Sequence, residues 1–394
     1  MKKKFACLAM AMVMVLSLAA CGGKKEEAPA AAPAESGSDS SVSVFKVGTI
    51  GPLSGDAAIY GQAVANGAKI AVDEINAAGG AIQFELQSQD DEADGEKSVN
   101  AYNTLMDWGM QVMVGPTTTG ASIAVSAQAN ADRTFMLTPS ASSVDVIDGK
   151  DNVFQVCFTD PNQGVASADY ISANMAGAKV AVIYRNDDAY SQGIRDTFVS
   201  EAADKGLEVV YEGTFTADTA TDFSVQLTGA QSAGADTVFL PIYYQPASVI
   251  LNQANAMGYE PTFFGVDGMD GILTMEGFDT SLAEGVMLLT PFSADAEDAR
   301  TQTFVKAYQD QFGETPNQFA ADAYDAVYIY AAALEAAGCT ADMSSADICE
   351  ALVGVMTTIS VDGLTGQGMT WDASGAVSKA PMAVIIEIGT YVLP

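Results

Sequence analysis

Short apolar segments alternate with helical segments along most of this sequence. That alternation predicts an α/β fold, with parallel sheets that are covered by helices on both faces. Polar and aromatic residues follow the strand segments, at the position where open α/β sheets bind ligands. The length of 394 residues suggests about two domains. We therefore expect about two α/β domains with a ligand site at the strand ends.

The elements begin with a short apolar strand at 45–50 and a helix at 62–76. In that helix Val64, Ala68 and Val72 recur at helical spacing, and Gly79-Gly80 ends it. The same patterns predict strands at 84–89, 112–114, 135–138, 179–184, 208–215, 237–242 and 262–266. Between them they predict helices at 98–108, 121–129, 164–175, 190–204, 222–233 and 246–257.

The pattern changes at about residue 297. Two long helices at 297–311 and 318–337 and a shorter one at 344–355 follow. Two late β segments, 368–377 and 381–392, complete the sequence.

The composition excludes several functions. The chain has 17 Lys and Arg against 50 Asp and Glu, a net charge of −33, and no His. The lack of His excludes His-based catalytic triads and His-ligated metal sites, and the acidity disfavours nucleic-acid binding. We find no GxSxG, Walker A, HExxH or CxxC motif, so we expect no enzyme activity and no cofactor. The acidic run 90–94 lacks EF-hand spacing, so we expect a solvated loop and no metal there.

The N-terminus has the features of a secretory signal. Three lysines precede an apolar stretch that ends in Leu18-Ala19-Ala20-Cys21-Gly22, which resembles a bacterial lipobox. That resemblance implies a lipoprotein signal peptide at 1–20, cleavage before Cys21, and a lipid on Cys21 that holds the protein at the outer face of the cell membrane. Residues 21–43 are rich in Gly, Ala, Pro and Ser and have no apolar periodicity, which predicts a disordered tether.

Polar and aromatic side chains follow six of the predicted strands. Because these ends meet at one edge of a parallel sheet, the side chains can converge on one crevice. They are Tyr60, Thr117 to Thr119, Ser140 to Ser143, Tyr190, Tyr243 and Tyr244, and Asp267.

The chemistry of these residues suits a free amino acid. Thr117 to Thr119 open a helix, whose free N–H groups and dipole favour a carboxylate. Asp267 is an anion suited to an ammonium group, and the tyrosines offer apolar walls. Each residue also has an ordinary structural interpretation, because Thr and Ser precede many helices as N-caps and Asp267-Gly268 is a common turn. Only the joint placement favours binding.

Several motifs resemble those of the branched-chain amino-acid-type periplasmic binding proteins. The motifs, which span about 45–394, are Val47 to Gly55, Gly61-Gln62, Gly67-Ala68, Ile75 to Gly80, Val114 to Ala121, Thr138 to Ser142 and Gly265 to Gly268. The resemblance implies two doubly wound parallel-sheet α/β lobes, joined by a hinge of three crossovers and closing around a ligand. The crossovers then lie near 161–163, 290–293 and 361–366. The first lobe comprises 44–161 plus 292–362, and the second comprises 162–291 plus 363–394.

The resemblance also assigns roles to individual residues. It implies that Thr119 or Thr118 contacts the ligand carboxylate and that the Ser140 carbonyl and the Ser142 hydroxyl contact the ligand. Asp267 then receives the α-ammonium. Tyr60, Tyr190 and Tyr243 or Tyr244 line the cleft.

The function implied is that of a monomeric solute receptor, which captures an amino acid of branched-chain or other apolar type and delivers it to the permease subunits of an ATP-binding-cassette importer. Three alternatives stay open: a ligand-sensing receptor, a binder of small amides or urea-like solutes, and a binder of carboxylates.

Three cysteines remain after Cys21. Cys157 is expected to lie in an apolar strand and to be a buried free thiol. Cys339 and Cys349 flank a loop between two helices, and an extracytoplasmic location permits a disulfide between them. We expect that disulfide to form.

Overall fold

The computed structural model describes residues 43–394. The predicted signal peptide, the predicted lipidation site Cys21 and the predicted tether up to residue 42 lie outside the described residues. Within residues 43–394, no helix has both the length and the apolar character required to cross a bilayer.

The first lobe is built on a parallel sheet. Within the described residues its five strands have the order β2-β1-β3-β4-β5. They are β1 (Ser43–Gly51), β2 (Ile82–Asp90), β3 (Val112–Val114), β4 (Phe135–Thr138) and β5 (Val153–Gln155). Every residue of β3, β4 and β5 is buried, as expected when helices cover both faces of a sheet. The sequence prediction misses β5, because its two apolar residues are followed by the polar Gln155, whereas the equally short β3 is wholly apolar.

The second lobe is built on a mixed sheet. Within the described residues its seven strands have the order β12-β11-β10-β9-β8-β6-β7. They are β6 (Lys179–Arg185), β7 (Glu208–Phe215), β8 (Thr237–Leu240), β9 (Thr262–Gly265), β10 (Met287–Thr290), β11 (Met382–Glu387) and β12 (Thr390–Val392). The strands from β6 to β10 are parallel, whereas β11 pairs antiparallel with β10 and with β12. The turn between β11 and β12 has positive φ at Ile388 and Gly389, as in a two-residue hairpin.

Helices flank both sheets and connect most of the strands. Their bounds are α1 (Ala58–Ala78), α2 (Gly95–Trp108), α3 (Thr119–Asp132), α4 (Asp160–Asn174), α5 (Ala189–Lys205), α6 (Ser224–Ser232), α7 (Tyr244–Met257), α8 (Ala299–Phe312), α9 (Gln318–Ala337) and α10 (Ser345–Met356). Several begin a few residues before the predicted position, because polar caps rather than apolar periodicity set the start. Asp94 caps α2 and Thr159 caps α4 through their side chains. Helix α1 also begins earlier than predicted, at Ala58, although Ala57 makes no side-chain cap, so Tyr60 lies on α1 and not in a loop.

The chain passes between the two lobes through 156–159, 291–298 and 357–381. The first passage precedes the predicted position at 161–163, because α4 begins at Asp160. A buried ion pair ties the third passage to α9: Lys379 Nζ lies 2.6 Å from Asp322 Oδ1, and both side chains are 2% exposed. Lys379 also donates to the Thr365 hydroxyl at 2.5 Å.

The predicted β segment at 368–377 is wrong. Within this passage the backbone forms only isolated bridges, Val361 with Met369 and Trp371 with Val377. The Trp371 indole N–H donates to the Gln155 carbonyl at 2.8 Å, so the segment packs on the first lobe. Gly375, with φ of 91°, lies in the tight turn between Trp371 and Val377, where its N–H donates to the Asp372 carbonyl at 3.1 Å.

The predicted disulfide between Cys339 and Cys349 is also wrong. Both are buried free thiols. Cys349 lies on α10 among Arg133, Glu350, Asp151 and Asn152, and burial raises its pKa to about 12. Cys339 instead follows the C-terminal end of α9.

Cys157 is buried and free, as predicted. It lies beyond the end of β5, in the first passage between the lobes, and not in a strand.

Candidate functional site

The carboxyl ends of strands from both lobes face one another across a narrow cleft. The cleft cavity has a volume of about 10 Å³, and its lining residues are Tyr60, Thr117, Thr118, Thr119, Ser140, Tyr190, Tyr243, Asp267, Gly268 and Phe319. A volume of this size holds about one water molecule. An amino acid can therefore enter only when the lobes move apart.

On the first lobe, Thr118 and Thr119 open helix α3. Thr118 is its N-cap and Thr119 its first residue, because the chain turns from β3 into α3 here. Both hydroxyl oxygens are buried and lack a hydrogen-bond partner among the described residues. Free backbone N–H groups and the positive end of the helix dipole lie at the same position. The N-terminal end of α3 therefore offers unused hydrogen-bond donors for an anionic group.

The serines after β4 make different contacts. Ser140 lines the cleft, and its hydroxyl donates to the Thr117 carbonyl at 2.5 Å. Ser142 is fully buried and does not line the cavity. Its carbonyl accepts from the Asp160 N–H at 2.9 Å, and its hydroxyl lies 3.5 Å from Gln163 Nε2.

On the second lobe, Asp267 follows β9 and is 3% exposed. The Tyr190 hydroxyl donates to Asp267 Oδ1 at 2.6 Å, and the Asp267 N–H donates to Gln163 Oε1 at 3.0 Å. Burial raises the pKa of Asp267 to about 6, although these polar neighbours act in the opposite direction. The carboxylate is thus fixed in position and has little water around it.

A second buried carboxylate, Asp160 at the start of α4, was not predicted from the sequence and does not line the cleft cavity. It is 1% exposed, and neither carboxyl oxygen has a hydrogen-bond partner among the described residues. Burial raises its pKa well above the usual value; the Ser142 hydroxyl opposes this shift, and the charge of Asp267 adds to it. An acid directly after the N-cap Thr159 looks like an ordinary first-turn residue, so the sequence carried no sign of a site role.

Tyr60 crosses from the first lobe to the second. Its hydroxyl donates to the Gly268 carbonyl and accepts from the Tyr244 N–H at 3.2 Å. Its ring packs edge-on against Tyr243 and Phe319, with centroids 5.4 Å and 4.6 Å away. Tyr60 therefore holds the two lobes together on the side of the cleft that α1 and α9 form.

The two adjacent tyrosines before α7 differ in position. Tyr243 lines the cleft and stacks on Tyr190, with ring centroids 4.8 Å apart. Tyr244 is absent from the lining and packs edge-on against Tyr60 at 5.0 Å. The structure therefore favours Tyr243 over Tyr244 as a wall of the cleft.

Most of the predicted site residues come together. Of the nine, seven line the cavity, namely Tyr60, Thr118, Thr119, Ser140, Tyr190, Tyr243 and Asp267. Ser142 and Tyr244 lie behind it. The predicted solvated loop at 90–94 is wrong at Asp91, which is fully buried and accepts from the Ala93 N–H at 2.9 Å.

Known proteins resemble this chain in sequence and structure. Residues 44–386 match the periplasmic binding protein family. The Leu/Ile/Val-binding protein homolog 3 of Brucella melitensis biotype 1 is 32% identical over 318 residues, which cover 78% of this chain and 82% of that protein. The crystal structure of the branched-chain amino acid transporter substrate binding protein LivJ of Streptococcus pneumoniae, in complex with isoleucine, superposes with a TM-score of 0.78 at 30% identity, covering 89% of this chain and 100% of that chain.

A solute binding protein of R. palustris in complex with benzoate also superposes with a TM-score of 0.78. It is 22% identical and covers 89% of this chain and 95% of its own, so it shows the fold alone. Together with the two facing lobes and the cleft between them, the family match and the relatives identify the class. The chain belongs to the periplasmic binding proteins of the branched-chain amino-acid type.

Proposed function

We propose that this protein captures an amino acid in the cleft between its lobes and delivers it to an ATP-binding-cassette importer. The observation that carries the proposal is the pairing of unused donors at the start of α3 with buried Asp267 on the opposite lobe. The names of its relatives add support, since they describe proteins that bind leucine, isoleucine and valine. Binding and release, with no chemical turnover, complete the proposed role.

The α-carboxylate of the ligand binds at the start of α3. Thr118 and Thr119 each have a buried hydroxyl oxygen without a partner among the described residues, and a carboxylate accepts hydrogen bonds from both. The backbone N–H groups of the first turn add further donors, and the helix dipole adds a favourable field. Hydrogen bonds to an ionised acceptor are about twice as strong as those between neutral groups.

The α-ammonium binds between Asp267 and the loop after β4. Asp267 is held by Tyr190 and supplies the negative charge. The Ser140 carbonyl is the expected second acceptor. Burial disfavours the ionised forms of Asp267 and Asp160. An ammonium group in this position favours the ionised forms again.

A thermal-shift screen of amino acids, small amides and aromatic carboxylates identifies the ligand class. A ligand present at 100 times its Kd adds about 2.7 kcal/mol to the free energy of unfolding. We expect stabilisation by amino acids and none by benzoate, which carries no ammonium group. Uptake of the labelled amino acid by cells with and without the gene then separates an importer from a sensor.

The Asp267→Asn variant tests the amino-acid assignment directly. The substitution keeps the shape of the side chain and removes its charge, so the ligand ammonium loses its partner. The loss of one partner of a buried charge pair costs about 2–5 kcal/mol, which corresponds to a roughly 30-fold or greater fall in affinity. Calorimetry with leucine and with lysine measures this fall.

Asp204→Asn is the control, because Asp204 is exposed near the end of α5 and lies away from the cleft. It should leave the affinity unchanged. If Asp267→Asn binds within about threefold of the wild-type affinity, Asp267 is structural and the ligand is an uncharged amide or a simple carboxylate.

A further inference from the structure

The loop that follows β9 is in contact with both lobes. We name residues 267–271 the β9 loop; it begins at Asp267 and ends at Gly271. Its own lobe fixes it at Asp267, whose Oδ1 accepts from the Tyr190 hydroxyl at 2.6 Å and whose N–H donates to Gln163 Oε1 at 3.0 Å. Because the loop is fixed to the second lobe in this way, a hydrogen bond from the first lobe to the loop acts on the position of the whole second lobe.

Gln318, the first residue of α9, reaches the β9 loop from the first lobe. It is 2% exposed and does not line the cleft cavity. Its side-chain amide donates to the Asp267 carbonyl at 3.3 Å and lies 3.5 Å from the Leu289 carbonyl in β10. Both of these carbonyls belong to the second lobe, so the Gln318 side chain bonds across the lobes from behind the cleft.

The backbone of Gln318 makes a second hydrogen bond across the lobes. The first N–H groups of a helix have no partner within the helix. At α9, the Asn317 side chain accepts from the Ala320 N–H, and Asp270 Oδ2 of the β9 loop accepts from the Gln318 N–H at 3.0 Å. Asp270 is 3% exposed, and its Oδ1 has no hydrogen-bond partner among residues 43–394. A carboxylate of the second lobe thus completes the start of a helix of the first lobe, whose positive dipole end favours it.

The lobes also pack closely around the rest of the β9 loop. A Cβ added at Gly271 would lie 2.7 Å from Ile59 Cγ2 of α1 and 3.8 Å from Asn317 Nδ2. The Tyr60 hydroxyl of α1 donates to the Gly268 carbonyl in the same loop. All of these contacts join one protein group to another, and all are lost when the lobes move apart. They therefore favour the closed form by themselves.

We propose that Gln318 and Asp270 form a latch, which stabilises the closed form before the ligand adds its own contacts. The ligand-free protein is then a mixture of open and closed forms, and the latch sets their ratio. Because only the closed form holds the ligand from both lobes, the apparent Kd depends on that ratio. Gln318 is thus a positioning residue, which acts on affinity through the relative position of the lobes. The latch rests on the proposed function only in requiring a ligand that is held between the lobes.

Gln318→Met and Gln318→Glu test the latch, because both variants keep the length of the side chain. Met has no donor, so we expect the closed-to-open ratio to fall about threefold. Glu places an acceptor opposite the Asp267 carbonyl and beside the Asp270 carboxyl group, so the ratio should fall about tenfold or more. Small-angle scattering of the ligand-free proteins should give a radius of gyration that increases from wild type through Gln318→Met to Gln318→Glu. Identical curves for wild type and Gln318→Glu overturn the inference.

Gln111→Glu is the matched control. The Gln111 amide donates to the Ala341 and Met343 carbonyls, both at 3.0 Å, and all three residues belong to the first lobe. The control therefore loses similar hydrogen bonds within one lobe. It should lower the melting temperature and leave both the ligand-free scattering and the affinity unchanged. If it changes the scattering as much as Gln318→Glu does, general destabilisation opens the lobes and the latch is wrong.

Calorimetry with leucine and with valine separates the latch from a direct contact with the ligand. The two amino acids share their α-groups and differ in the side chain. Gln318→Glu should raise both Kd values by the same factor, about fivefold or more, because the latch acts on closure and not on the ligand side chain. Unequal factors mean that Gln318 contacts the ligand, and unchanged Kd values mean that it has no part in closure. Either result overturns the inference.

The latch and the proposed function fail in different ways. If the scattering shifts as expected and neither leucine nor valine binds, the latch stands and the amino-acid assignment is wrong. If both amino acids bind, Asp267→Asn weakens them, and Gln318→Glu changes neither scattering nor affinity, the amino-acid site stands and the latch is wrong.

Discussion

Asp267 is the residue whose ionisation should control binding. Its pKa is raised to about 6 by burial, so its protonated form persists to a higher pH than in an exposed carboxyl group. Only the ionised form attracts an ammonium group. Affinity is therefore nearly fully present at pH 7 and above, and is lost as the pH falls through about 6.

We expect the Kd for leucine or lysine to rise about tenfold between pH 7 and pH 5. Calorimetry at a series of pH values measures this change. Asp267→Asn should give a flat profile over the same range, and a wild-type profile that is equally flat contradicts the assignment. The free energy of unfolding has the opposite trend: a raised pKa in the folded state means that stability falls as the pH rises from about 4 to about 6. Asp91, whose pKa burial also raises to about 6, contributes to stability in the same direction, so affinity is the better measurement.

The site was partly predictable at the level of single residues. Thr118, Thr119 and Asp267, which line the cavity, were predicted as site residues because a hydroxyl pair before a helix and an acid after a strand are local features of the sequence. The burial of Asp160 was missed because an acid in the first turn of a helix is normally exposed, and only the packing of the fold buries it. The choice between Tyr243 and Tyr244 could not be made either, since it depends on how the start of α7 is rotated relative to Tyr190 on another helix.

At the scale of elements, the contact between α1 and α9 is unusually close at Gly67. A Cβ added there would lie within 2.9 Å of the Ala320 Cα, in the backbone of α9. Gly-to-Ala changes inside helices normally stabilise a protein by about 1 kcal/mol. Here the helix backbones would have to separate, and overpacking of this kind costs about 1–3 kcal/mol.

Gly67→Ala should therefore lower the melting temperature by several degrees, because the packing cost exceeds the gain in helix propensity. Gly354→Ala is the matched control. Gly354 lies in α10, and nothing lies within 4 Å of the added Cβ, so that variant should raise the melting temperature slightly. Differential scanning calorimetry compares the two. A Gly67→Ala protein as stable as the Gly354→Ala protein means that α1 and α9 tolerate separation.

The elements themselves were largely predictable where burial is uniform. β3 and β4 are buried at every position, so their apolar runs identified them. The predicted strand at 368–377 failed because its apolar residues pack on the first lobe without forming a ladder, as Trp371 shows through its bond to Gln155. Sequence periodicity detects an apolar surface but does not identify the partner that covers it.

At the scale of the whole molecule, the cleft volume of about 10 Å³ requires motion between the lobes. A ligand that contacts Thr118 on one lobe and Asp267 on the other stabilises the closed form, because only that form makes both sets of contacts. Small-angle scattering should give a smaller radius of gyration with saturating ligand than without it. An unchanged scattering curve, with binding confirmed by calorimetry, contradicts closure about the three passages.

The predicted location of the protein at the cell membrane depends on a lipid on Cys21, which lies outside the described residues. Cys21→Ser removes the thiol that would carry the lipid. Without lipid chains the protein has lost the group that would hold it at the membrane. We expect the variant to appear in the soluble fraction or to stay unprocessed, which fractionation and mass spectrometry of the N-terminus detect. Unchanged processing together with unchanged membrane attachment contradicts the lipoprotein assignment.

The antiparallel edge of the second sheet has a consequence for synthesis. β10 pairs with β11, and Thr290 is the pairing partner of Met382. The sequence between these two residues includes three helices of the first lobe. While the ribosome is still making that stretch, β10 presents an unpaired strand edge, which is a template for pairing with other chains. β11 and β12, which are translated after that stretch, therefore complete the second sheet. A protein shortened by a premature stop codon before Met382 should aggregate during synthesis rather than persist as a weakly binding receptor.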